Sequence, residues 1–264
     1  MRHDRHAGLT PGGGEARPMD RLVYLAMTGA KHTLEAQQHN NHNLANVDTP
    51  GFRADLDALM SAPVRGPGHD ARAYSEALTV GSDFRQGGIV QTGRALDVAI
   101  DGDGWLAVQA PDGGEAYTRR GDLQIADGGL LTTGDGHLVM GEAGPVAIPP
   151  ADEIEIGADG TLSIIPAGQN PDQWVELDRL KLVDPALQDL RKDNDGLFRL
   201  VDGGEAEADA GVRLVSGAYE GSNVNMVDAL VKMIDHARQF ETYVKMMTAA
   251  EENDQTSAQL LRNS

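Results

Sequence analysis

The sequence predicts a mixed α and β protein. An all-β central domain, barrel-like or sandwich-like, is inserted between N- and C-terminal amphipathic helices that pair as a coiled coil. Three observations predict this. Each end of the chain carries a seven-residue apolar repeat, the middle breaks into short Val, Ile and Leu runs between Gly-rich turns, and no helical pattern separates those runs. The length of 264 residues allows one large domain or two modest ones. With 40% hydrophobic but only 4% aromatic residues, the core is expected to be aliphatic.

Residues 1–18, MRHDRHAGLTPGGGEARP, hold Leu9 as their single large apolar residue after Met1. Such a segment buries too little surface to offset its ordering entropy, so it reads as a disordered extension. It also lacks the apolar region of a secretory signal. His3 and His6 have no partner pattern for a metal.

Residues 19–50 form the N-terminal helix of a terminal helical domain. Val23, Met27, Ala30, Leu34, Gln37, Asn41 and Leu44 follow alternating spacings of 4 and 3, a heptad seam. The seam turns polar at Gln37 and Asn41, a register-fixing device in coiled coils. Pro50 and Gly51 end the helix, since the residue before Pro is pushed out of the α region.

Residues 51–84 read as a linker and residues 85–212 as the β-rich central domain. Its runs include 96–100, 105–109, 123–125, 138–140, 146–148, 154–156, 162–165, 180–183 and 197–200. The breaks carry Asp-Gly pairs, which are hairpin signals, and closely spaced short strands point to a barrel or sandwich. Residues 213–264 hold the C-terminal helix, where Met226, Leu230, Met233, Ala237, Phe240, Val244 and Met247 repeat the 4 and 3 spacing. Asn223 or Asn225 caps its start. Neither stripe is satisfied alone: the two helices pair, within one chain or between chains, or each packs on the β domain.

The chemistry-bearing patterns are weak. A net charge of −19 argues against a nucleic-acid partner, and no apolar run approaches the 18 residues of a membrane span. The chain has no Cys, so thiolate chemistry and Cys-ligated metals are excluded. Asp97, Asp101 and Asp103, and later Asp193 to Gly196, miss the ligand spacing of a calcium loop and read as turns. His39 and His42 lie three apart on a polar helix stretch with no third ligand. There is no GxxxxGK[ST] and no GxSxG. Trp105 and Trp174 read as core packing rather than a sugar platform. No catalytic residue, cofactor, metal or small-molecule substrate is assigned.

The tract NLANVDTPGF at 43–52 resembles the signature of the bacterial flagellar rod and hook protein family. Further stretches agree in order: QTGRALDVAI at 91–100, DGDGWLAV at 101–108, YTRRGDL at 117–123, GAYEGSNVN at 217–225 and MIDHARQFE at 233–241. One departure is His42 before Asn43, where the family often has Asn. The resemblance covers Met19 to Ser264 and places the chain at the proximal end of the rod, with distal-rod or hook-type subunits as the alternative.

That resemblance implies a structural subunit, not an enzyme. It implies self-assembly through the terminal helices to transmit torque across the periplasm. The location would be the flagellar basal body, reached through the flagellar export apparatus without a cleaved signal. Partners would be other rod proteins and copies of itself, with no nucleic acid and no membrane insertion. The assembly interface would use Val23, Met27, Leu34, Leu44, Met226, Leu230, Met233, Phe240, Val244 and Met247. Asn43, Asn46, Thr49, Pro50, Gly51 and Phe52 would form the turn joining helix to β domain. From a different class, a periplasmic cell-wall-acting enzyme would need a paired acid that the sequence does not single out.

Overall fold

A computed structural model of the chain describes residues 18–56, 58–63, 73–78, 81–168 and 173–262. The 1–18 extension, apart from Pro18, lies outside the described residues, as does part of the 51–84 stretch. Helix α1 spans Pro18–Ala45 and helix α2 spans Met226–Arg262. Between them come β1 (Ala58–Pro63), β2 (Ala73–Leu78), β3 (Ile89–Gln91), β4 (Val98–Asp101), β5 (Trp105–Gln109) and β6 (Glu115–Thr118). Short strands follow at β7 (Gln124–Ile125), β8 (Leu131–Thr132) and β9 (Leu138–Val139). The rest are β10 (Ala151–Ile156), β11 (Thr161–Pro166), β12 (Val175–Arg179), β13 (Leu182–Val183), β14 (Leu190–Lys192), β15 (Phe198–Leu200), β16 (Arg213–Ser216) and β17 (Ala218–Glu220). The helix, β-rich middle and helix order matches the sequence reading. Strands β1 and β2 fall within the stretch read as linker.

The barrel does not form among the described residues. The largest sheet has eight strands in the order β14-β15-β6-β5-β9-β8-β7, with β13 also on β5, and its path is open at both ends. A three-stranded sheet β10-β11-β12 and the pairs β16-β4, β17-β3 and β1-β2 complete the set. The pairings among β3 to β17 are antiparallel, as Asp-Gly hairpins favour: Val108 faces Ala116 across β5 and β6, and Leu214 faces Ile100 across β16 and β4. The 146–148 run is no strand but is laced by single bonds, Val146 N to Val139 O and Ile148 N to Gly129 O. Pro145, Pro149 and Pro150 around it have no amide to donate, so a continuous ladder cannot run through.

The chain divides into two compact units, one from the described parts of residues 1–37, 60–76 and 234–264, the other from 38–59 and 77–233. In the larger unit β5 is buried on both faces, because successive side chains point to opposite sides. Leu106 and Val108 join an aliphatic core with Val98, Leu123, Leu131, Val139, Leu162 and Leu214. Trp105 and Ala107 join a smaller cluster with Tyr117, Val183 and Phe198, against which Phe84 packs.

Candidate functional site

Helix α1 ends at Ala45, a few residues before Pro50, because side chains fold the chain back. Asn46 donates its side-chain Nδ2 to His42 O at 2.9 Å and accepts Thr49 Oγ1 at 3.1 Å. The His42 carbonyl, which also accepts the Asn46 amide at 3.2 Å, thereby takes a second bond that holds the turn. Asn43 acts as a substitute strand: its Nδ2 donates to Asp55 O at 2.9 Å and its Oδ1 accepts Asp55 N at 2.8 Å. Asn43→Ala leaves both backbone groups of half-buried Asp55 without those partners. It is expected to cost about 1–3 kcal/mol, read as a lower denaturation midpoint with an unchanged m-value.

Past Pro50, Gly51 takes φ +67°, and its amide donates to Glu220 O at 2.7 Å. A Cβ there would sit 2.3 Å from the carbonyl carbon of Arg119, so the position admits only glycine without movement. Phe52 places its ring 4.0 Å below Lys192 Nζ and edge-on to the His42 ring at 5.5 Å. Arg53 is buried and donates Nη1 to Glu220 Oε1 at 2.5 Å. Asn223 fastens the approach to α2, accepting Ala54 N at 2.7 Å and donating to Asp83 O at 2.7 Å and Arg85 O at 2.9 Å. Asn225 is the α2 cap, accepting the amides of Val227 and Asp228.

Asp55 is the charge centre of this turn. Lys192 Nζ lies 2.7 Å from its Oδ1 and His42 Nδ1 lies 2.8 Å from its Oδ2. Burial alone would raise the Asp55 carboxyl, but the hydrogen bonds and charges of Lys192 and His42 outweigh it and hold the carboxyl below its ordinary range. Burial lowers Lys192, with Asp55 pulling the other way. A carboxyl whose folded value is depressed contributes stability that is complete above its unfolded value of 3.8 and lost as pH falls through the folded value. The thermal midpoint should therefore drop below about pH 4, and Asp55→Asn should flatten part of that fall.

The helix faces divide by residue size. Among the described residues the buried positions are Ala26, Ala30, Thr33 and Asn40 on α1, and Ala229 and Ala250 on α2. Gly29 lies under the Tyr243 ring, where a Cβ would be 2.5 Å from Cε1. Asn40, and not the exposed Asn41, is a buried asparagine of α1, donating Nδ2 to Ala229 O at 2.8 Å. Met27, Leu34, Met226, Leu230, Phe240 and Val244 are 37% to 58% exposed. Val23, Leu44, Met233 and Met247 are half-buried. Tyr24, Leu25, Val227, Val231 and Ile234 add to the exposed apolar surface. Among the described residues no group of three or more His, Asp or Glu could hold a metal, and no helix is long and apolar enough to cross a membrane.

The model of the flagellar basal body rod FlgEFG protein C-terminal region matches residues 215–260, and that of the flagellar hook protein FlgE/F/G D1 domain matches residues 99–164. The flagellar basal-body rod protein FlgF of Salmonella typhimurium is 45% identical over 249 residues, 92% of this chain and 99% of its own. The chain belongs to the flagellar basal-body rod protein family. The FlgF protein of Escherichia coli is 44% identical over the same shares of both chains. The rod protein FlgG of Bacillus subtilis is 33% identical over 89% of this chain and 96% of its own. In this rod-family chain the C-terminal match takes in Glu220, Asn223 and the exposed apolar face of α2 up to Leu260. Sequence reasoning missed Arg53, Arg119, Glu220 and Asn40. The first three stand inside or beside the quoted motifs, which is the one signal that marks them.

Proposed function

We propose that the protein is a structural subunit of the flagellar basal-body rod, in the proximal part, that self-assembles through its terminal helices and transmits torque across the periplasm. It acts without catalysis, beside other rod proteins and copies of itself, after passage through the flagellar export apparatus. The observation that carries the reading is the exposed row of large apolar side chains on α1 and α2: Met27, Leu34, Leu230, Phe240 and Val244. Water is a poor solvent for such a row, and a long helix is marginal until its apolar face is covered. Small residues fill the buried seam and large ones are left outside, which favours a seam completed by neighbouring subunits, paired as in a coiled coil. A head-to-tail repeat of one such contact builds an open helical assembly.

Deleting the gene tests this. The expected result is immotile cells whose purified basal bodies lack a rod in electron micrographs, with recovery on supplying a chain that starts at Met19. Intact rods and swimming cells would overturn the reading.

A further inference from the structure

Within the larger unit, one carboxylate collects bonds from three distant stretches of chain. Glu220 Oε1 accepts Arg53 Nη1 at 2.5 Å and Gly87 N at 2.7 Å, and Oε2 accepts Arg119 Nη1 at 3.1 Å. Its backbone oxygen accepts Gly51 N at 2.7 Å. All three charged side chains are at most 5% exposed. The guanidinium carbons stand 5.9 Å (Arg53) and 5.4 Å (Arg119) from the Trp105 ring centroid. Nε of both arginines and Nη2 of Arg53 have no hydrogen-bond acceptor among the described residues.

Net stability is a poor explanation for this cluster. Two positive groups bond one carboxylate, with Asp83 and Asp103 adding only longer-range charge, and the hydration lost on burying three charges roughly cancels what their attraction returns. Direction is the better explanation. Charge-assisted bonds from planar guanidinium groups fix angle as well as distance. Arg53 lies just beyond the turn that ends α1, and Glu220 closes β17, shortly before Met226 opens α2. Arg119 follows β6, which pairs with β5, buried from Trp105 to Val108.

We propose that Glu220 is a positioning residue for rod building: its single carboxylate sets both the segment leaving α1 and the segment approaching α2 against Arg119, one residue past strand β6. The consequence in cells rests on the rod-subunit reading, whereas the geometry of the joint does not.

Amide exchange on the purified full chain tests the joint first. In the native chain, Gly51 and Gly87 should exchange nearly as slowly as Val108 in β5. Exchange as fast as an unstructured peptide would overturn the proposal without any variant. A neutral triple variant, Arg53→Met with Arg119→Met and Glu220→Gln, removes the charges and keeps an oxygen for Gly87. It is expected to unfold near the native midpoint, to exchange Gly51 and Gly87 at least about tenfold faster, and to swim at less than about a tenth of the native rate. Native exchange rates in that variant, or fast exchange with normal swimming, would overturn the proposal. Should the triple variant fail to fold, the native-chain exchange rates decide. Rods that survive deletion of the gene would instead sink the rod-subunit reading, whatever the exchange rates show.

Discussion

Leu34→Asp is expected to abolish rod building and swimming while the purified chain keeps its unfolding midpoint to within about 2 °C. The monomer barely registers the change, because Leu34 is 46% exposed and Asp costs only about 0.5 kcal/mol more than Leu in a helix. Assembly registers it strongly. Once a neighbour covers the helix face, the new carboxylate must give up its water, and an unpaired buried charge costs several kcal/mol. A loss of about 3 kcal/mol lowers each association constant more than 100-fold, and the loss repeats at every subunit added. Electron micrographs of basal bodies together with a melting curve of the monomer separate the two effects. A variant that still builds rods would remove Leu34 from the interface. Met233→Asp is less clean, because Met233 is half-buried in the monomer.

Gly51→Ala should have the largest effect on folding of any glycine change in the turn. Its φ of +67° already disfavours an L side chain by about 1–2 kcal/mol. The added methyl would also meet the Arg119 carbonyl carbon and the Arg120 nitrogen, each at 2.3 Å, and backbone cannot rotate away as a side chain does. Gly113 is the internal control: its φ is +87° and nothing lies within 4 Å of a Cβ built there. Gly113→Ala should therefore cost about 1–2 kcal/mol and Gly51→Ala at least about 2 kcal/mol more, compared by denaturant titration. Equal losses would show that the Gly51–Arg119 approach relaxes freely.

What was legible in the sequence follows from how local each signal is. The heptad spacing of α1 and α2 and the Asp-Gly turns are local patterns, and both helices and most strands of the β-rich middle stand where those patterns place them. Asn225 as the α2 cap is equally local. The open sheet in place of a barrel is a matter of which strands pair at long range, and spacing along the chain does not encode that. The seam shows the limit most clearly. Heptad spacing marks Met27, Ala30, Leu34 and Asn41, yet of these Ala30 alone is buried, and the other buried positions among the described residues of α1, Ala26, Thr33 and Asn40, each stand one residue before a seam position. Hydrophobic periodicity identifies a face that wants covering but not which partner covers it. The Arg53–Glu220–Arg119 joint links residues 167 and 101 positions apart, and no local rule pairs them.

The most direct test of the account places a photo-crosslinking amino acid at Met27 and, separately, at Phe240 in motile cells, followed by analysis of the isolated basal bodies. The account predicts crosslinks from both positions to neighbouring rod subunits or to further copies of this chain, and none from exposed Gly113 on a turn of the larger unit. Crosslinks absent from Met27 and Phe240 in cells that still swim would contradict it.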